Sequence, residues 1–106
     1  MNWPRNYDFG IRFNKNKARN DPIYNYFVGQ KIRAKNRGIA WELEYWEWLQ
    51  IWLDSGHLHE RGRKKGQYCM ARNGDQGAYA SGNVRIVLVE TNNAEAAFVR
   101  RRKDNA

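Results

Sequence analysis

A single cysteine, Cys69, in a chain of 106 residues excludes an intrachain disulfide and the paired Cys-x-x-Cys knuckles that hold structural zinc. Cys69 reads as a small apolar core side chain rather than a reactive thiol. Long hydrophobic runs are missing too. No segment approaches the roughly 20 apolar residues of a bilayer span, and the opening "MNWPRNYDFG" has no apolar block of signal-peptide type. These absences predict a soluble, intracellular and cytoplasmic protein without membrane contact. With only two prolines, Pro4 and Pro22, and no Pro/Ser-rich stretch, nothing divides the chain, and its length suits one modest core. Acidic residues are scarce as well. Eleven Asp and Glu face 19 Lys and Arg, a formal net charge of +8, and a field of that sign favours polyanions, nucleic acid above all.

The charge is unevenly spread. Residues 1–37 carry nine basic side chains against two acidic ones, and residues 61–106 carry ten against four; residues 38–60 hold five acids and no base. The first twenty residues, rich in Asn, Arg and Lys, are expected to form a basic, flexible arm ahead of a single domain over 21–106. Asp21-Pro22 is a helix start, since Asp accepts from the orphan N–H groups and Pro favours the first helical position. Gly38 supplies the stop. Ile23, Tyr26, Phe27, Gln30 and Ala34 share one side of that helix. Lys31, Arg33, Lys35 and Arg37 crowd its last turns, where cations suit the helix dipole. Next, Tyr45, Trp48, Leu49, Trp52 and Leu53 recur three and four apart, predicting a second helix over about 44–55 that Gly56 ends. Its tryptophans read as core, with base stacking as the sharper alternative. Glu42, Glu44 and Glu47 suit its positive end.

Two segments then carry candidate chemistry. His57 and His59 alternate in "SGHLHERGRKK", a pair able to contribute to a metal site. Arg61, Arg63, Lys64 and Lys65 follow between glycines, a basic loop suited to phosphate. "YCMARNGDQGAYASGNVRI" reads as strand, polar loop and strand, "VRIVLVE" as the second strand, and "TNNAEAAFVRRRKD" as a helix capped by Thr91 with Ala94, Ala97 and Phe98 inward. That helix and strand add Arg85, Arg100, Arg101, Arg102 and Lys103 as candidate phosphate contacts.

From about Ala34 to Ala96 the chain resembles the HNH endonuclease superfamily, the ββα-metal or treble-clef nucleases common in phages and mobile elements. Its nearest resemblance is to the branch with a loop of the form Asp-Arg-x-Asp-Asn-x-x-Gly-Tyr, an Asn four residues on, a strand, and a final Asn or His on the helix. Tyr79 and Asn83 match the loop Tyr and middle Asn, Val84 to Val89 the second strand, and Asn93 the terminal Asn or His. Arg72 stands where this branch has Arg and standard members have the general-base His. Ala71 occupies the place of the metal-binding Asp, and Gly74 that of the second Asp, with Asp75 one residue later. The resemblance implies a one-metal site that holds a divalent cation (magnesium, manganese, nickel or zinc) against a scissile phosphate. Arg72, Asp75, Asn83 and Asn93 are the catalytic candidates, and Asp75, Asn93, His57 and His59 the metal-ligand candidates. Alanine cannot ligate, and an arginine of pKa above 12 is a poor base.

The predicted fold is therefore α+β, two N-terminal helices packed on an HNH-like ββα unit. Its predicted function is binding of nucleic acid, double-stranded DNA first, with the hairpin presenting Arg72, Asp75 and Asn83 to the backbone. A metal-dependent DNA endonuclease or nickase is the enzymatic alternative. A phage packaging or regulatory protein that works through its tryptophans and basic segments is the third.

Overall fold

The computed structural model describes residues 21–104, with side chains described as far as Arg101. The arm expected over residues 1–20 and the side chains of Arg102 and Lys103 lie outside the described residues. Helix α1 spans Pro22–Asn36, α2 Tyr45–Ser55 and α3 Val89–Asp104; strands β1, Tyr68–Arg72, and β2, Val84–Leu88, precede α3. The architecture is α+β, in the order helix, helix, hairpin, helix.

Local chemistry sets the ends of the first two helices. Asp21 Oδ1 accepts from the Ile23 N–H at 2.9 Å, with Pro22 at the first helical position. Helix α2 opens on a capping box, in which the Glu44 N–H donates to Glu47 Oε1 at 3.0 Å. It closes on Gly56 in the left-handed region. The expected stripe on α2 is its core face: Tyr45, Trp48, Leu49 and Trp52 are buried, and Trp48 is 0 % exposed. Trp46, off that stripe, is 40 % exposed and donates to Glu44 Oε2 at 3.0 Å.

Helix α1 packs on α2 through aromatic edges. Phe27 meets Trp48 with ring centroids 5.7 Å apart and Tyr45 at 5.3 Å. The Trp48 indole N–H donates to Gln30 Oε1 at 2.8 Å, which supplies the one acceptor that a buried indole requires. Between the helices the chain runs extended and pairs with the hairpin loop. Tyr79 N–H donates to Ala40 O at 3.0 Å and Glu42 N–H to Tyr79 O at 2.8 Å, while the Trp41 and Tyr79 rings lie 5.2 Å apart. This short bridge fastens the loop to the helical layer.

The strands pair antiparallel, from Tyr68 opposite Leu88 to Arg72 opposite Val84. Met70 and Ala71 are buried, and Cys69 is half-buried. Burial pushes the Cys69 thiol up, away from the reactive thiolate.

The last helix departs from expectation. It begins at Val89, directly after β2, so Val89 and Glu90 are helical rather than strand, and Thr91 lies within the first turn rather than capping it. Of the three residues expected inward, Ala97 is partly covered, as are Asn92, Glu95, Ala96 and Val99 below buried Val89, whereas Ala94 is exposed and Phe98 is 58 % exposed. The periodicity holds, but the inward face is displaced. The buried Val89 sets the phase, because positions three, seven and ten residues on share its side of a helix.

Removing Trp48 tests this core. Trp48→Ala is expected to lose about 3–5 kcal/mol, enough to unfold a domain of ordinary marginal stability. Chemical denaturation followed by far-ultraviolet circular dichroism measures it, and near-wild-type stability would contradict the packing described.

Candidate functional site

The hairpin loop, residues 73–83, is held by its own polar groups. Asn73 N–H donates to Asn83 O at 2.9 Å, closing the loop at its base. The Asn83 amide donates from Nδ2 to Gln76 O at 2.9 Å and to Ala78 O at 2.8 Å, pinning the loop backbone from inside. Gly77 has φ +79, and a Cβ there would meet Asn83 Nδ2 at 3.0 Å, so glycine allows both the turn and the close approach of the amide. Asp75 follows Gly74 in the left-handed region, with φ 54, a conformation that Asp tolerates better than most residues.

Arg72, expected to reach out to phosphate, is turned into this loop instead. Its side chain is 9 % exposed, with Nη2 at 3.2 Å from Asp75 Oδ1, Nη1 donating to Gly77 O at 2.8 Å, and the guanidinium over the Tyr79 ring at 5.6 Å. The last residue of β1 thus meets a loop carbonyl and a carboxylate with its two terminal nitrogens. Asp75 is engaged with it through one oxygen.

Helix α3 completes the network through a residue that the sequence reading passed over. Glu95 accepts from the Gly74 N–H at 2.9 Å through Oε1 and pairs through Oε2 with Arg85 Nη2, while Arg85 Nη1 donates to Asn73 Oδ1 at 3.0 Å. Arg85, another expected phosphate contact, thus ties β2, the loop and α3 together. Asn93 is exposed and lies two residues from Glu95, about 200° of helical arc away. The helix presents Glu95 to the loop, and Asn93 is turned from Asp75. The three- and four-residue spacing of Val89, Asn92, Ala96 and Val99 carried the signal that could have placed Glu95.

The histidines lie elsewhere. His57 stacks flat on Tyr68 with centroids 3.6 Å apart, and its Nδ1 is 2.9 Å from Glu60 Oε1. His57 is stacked on Tyr68 and Asp75 paired with Arg72, so the two stand by opposite ends of a five-residue strand about 13 Å long at the usual rise. His59 is exposed. Among the described residues no group of three or more His, Cys, Asp or Glu side chains converges on one point. Ala71, in the place of the metal-binding Asp, is 2 % exposed and contributes a methyl to the core. Of the candidate ligands, Asp75 is paired with Arg72 through one oxygen, Asn93 is exposed on α3, and His57 is stacked on Tyr68 at the other end of β1.

The basic turn before β1 divides. Arg61 is drawn inward, its guanidinium 4.5 Å from the Tyr26 ring centroid and 5.2 Å from that of Trp52. Arg63, Lys64 and Lys65 are exposed. Glu90 Oε1 accepts from the Gly66 N–H at 3.1 Å, joining this turn to the first turn of α3. Hydrogen bonds from its own backbone N–H and that of Gly66 hold the Glu90 carboxyl below its usual range. Arg100 and Arg101 are exposed on the last turns of α3.

Searches against protein-family models, curated proteins and solved structures each return no match to this chain.

Two outcomes follow from the network. Asn83→Ala strands the Gln76 and Ala78 carbonyls, and a loss of about 1–3 kcal/mol is expected in denaturant titration. Glu90 has a folded pKa below its unfolded one, so its contribution is present above the ordinary glutamate range and is lost as pH falls through the folded value. Melting temperatures taken from neutral to acidic pH should therefore fall less steeply below the usual carboxylate range in Glu90→Gln than in wild type.

Proposed function

We propose that this chain binds double-stranded nucleic acid, DNA in the first instance, through phosphate contacts made by an HNH-like ββα scaffold that does not cut the strand. One observation supports the reading above the rest. The carboxylates Asp75, Glu90 and Glu95 are each bound inside the unit, to Arg72, the Gly66 N–H, and Arg85 with the Gly74 N–H. Lys64, Lys65, Arg100 and Arg101 remain exposed, outside the ion pairs formed among the described residues, with Lys65 near enough to Glu90 to favour its charged form. Acids that neutralise one another's neighbours internally leave an outward field that is positive.

Lys64 and Lys65 lie beside the start of α3, through the Glu90 contact to Gly66, and Arg100 and Arg101 lie ten and eleven residues beyond Glu90. That separation is about 15–16 Å of helix, which covers several phosphates of one strand at about 3.4 Å per charge. The loop network gives this surface a fixed backing, so its cations need little further ordering on binding.

Cleavage is not part of the proposal. A hydrolytic metal site needs a free carboxylate facing a second ligand, whereas Asp75 is paired and Asn93 is turned away. Supercoiled plasmid is expected to remain intact with magnesium, manganese, nickel or zinc. Metal-dependent nicking by wild type that disappears in Asp75→Ala would overturn this part of the reading.

Binding itself is tested by salt. Affinity for a DNA duplex should fall as salt rises, with a log–log slope of about −0.9 per phosphate neutralised. Reversing Lys64, Lys65, Arg100 and Arg101 to Glu should flatten that slope by about three to four. A wild-type protein without duplex affinity at low salt, or an unchanged slope in the folded quadruple variant, would refute the proposal.

A further inference from the structure

A cavity of about 510 Å³ opens between α1, the end of α2 and the start of β1, away from the hairpin loop; Tyr26, Gln30, Arg33, Trp52, Arg61 and Arg63 line it, with His59 at its wall. Among the described residues its lining includes three arginines and no carboxylate. A solvated charge run would keep its guanidinium groups in water, but Arg61 is half-buried under rings, 4.5 Å from the Tyr26 centroid, 5.2 Å from Trp52 and 5.4 Å from Trp48. No ion pair or hydrogen bond neutralises it among the described residues, and its Nε is buried without an acceptor. Ring faces offset part of the desolvation of a cation, but a buried charge is ordinarily paired. Burial pushes the Arg61 guanidinium below its usual range, with Tyr26 opposing the shift and Arg33 adding to it. An anion in this cavity would supply the counter-charge that Arg61 lacks among the described residues.

The wall is also prepared to receive one. The turn carrying Arg61 is fixed, because the Gly62 N–H donates to Tyr68 O at 3.1 Å. Gly62 leaves room for the Gln67 side chain, which a Cβ would strike at 1.9 Å. The Trp48 N–H takes Gln30 Oε1, and an indole can only donate, so the Gln30 amide is oriented with its NH₂ left as a further donor. Convergent guanidinium forks with flat aromatic walls are the chemistry of a phosphoryl group carried on a planar body. The volume falls within the range of small-molecule sites.

We propose that this cavity binds the phosphomonoester of a nucleotide, with Arg61 as the fixed inner cation and Arg33 and Arg63 closing on the phosphate from the rim. Two sources share that chemistry, a free mononucleotide and the 5′-phosphate at the end of a strand. The second rests on the nucleic-acid reading above; the first does not.

Calorimetric titration of the full chain with adenosine 5′-monophosphate, inorganic phosphate and adenosine tests it. One saturable site is expected for the monophosphate, competed by inorganic phosphate, with no binding of adenosine. Arg33 and Arg63 are exposed, so Arg33→Gln with Arg63→Gln should keep the fold, checked by its melting temperature, and weaken the monophosphate at least tenfold. Absence of saturable monophosphate binding to the wild type, binding of adenosine as strong as that of the monophosphate, or an affinity unchanged in the folded double variant would each overturn the proposal. Paired oligonucleotides with 5′-phosphate or 5′-hydroxyl ends then separate the sources. A preference for the phosphorylated end that the double variant loses assigns the strand terminus, and equal affinity assigns the free nucleotide. The Lys64, Lys65, Arg100 and Arg101 reversal leaves the cavity lining intact, so failure of duplex binding and failure of this site are distinguishable.

Discussion

Burying the Trp48 indole is the condition on which the rest of this small fold depends. An indole removed wholly from water brings a large apolar area with it, and its N–H is best matched with an acceptor, which for Trp48 is the Gln30 amide on the neighbouring helix. That single bond fixes the rotation of α1 against α2. Phe27 then falls against Trp48 and Tyr45, and Tyr26 and Trp52 are left as the walls between which Arg61 sits. The same constraint thus builds the core and shapes the cavity beside it.

The hairpin solves a different problem. An eleven-residue polar loop has backbone groups that no ladder can pair, and the chain satisfies them with side chains: Asn83 for two carbonyls, Arg72 for a third, Glu95 for the Gly74 N–H. Consuming two arginines and two carboxylates in this way makes the loop a stiff mount. It also removes those groups from chemistry with a ligand. Cations that remain available are those outside these ion pairs, on the turn before β1 and on the last turns of α3.

Arginine therefore plays three physical roles within one domain. Arg72 and Arg85 are structural forks that pair with carboxylates; Arg100 and Arg101 are solvated cations; Arg61 is a half-desolvated cation with rings for neighbours and no counter-charge. These roles differ through burial and partner, not through residue type, and net charge alone does not distinguish them.

By itself the sequence determined what depends on short-range patterns. Asp21-Pro22, the apolar spacing of Tyr45, Trp48, Leu49 and Trp52, and the stop at Gly56 act within a turn or two, where capping and periodicity prevail over distant context. The α+β order of elements was legible for the same reason. What only the tertiary structure decided were the long-range pairings. Whether Arg72 faces solvent depends on a loop that folds back on it. The phase of α3 depends on Val89 finding the core, which turned Glu95 rather than Asn93 to the loop and left Phe98 outside. Arg61 looks in the sequence like one more cation of a basic run, because nothing local records that α1 and α2 will place three aromatic rings around it.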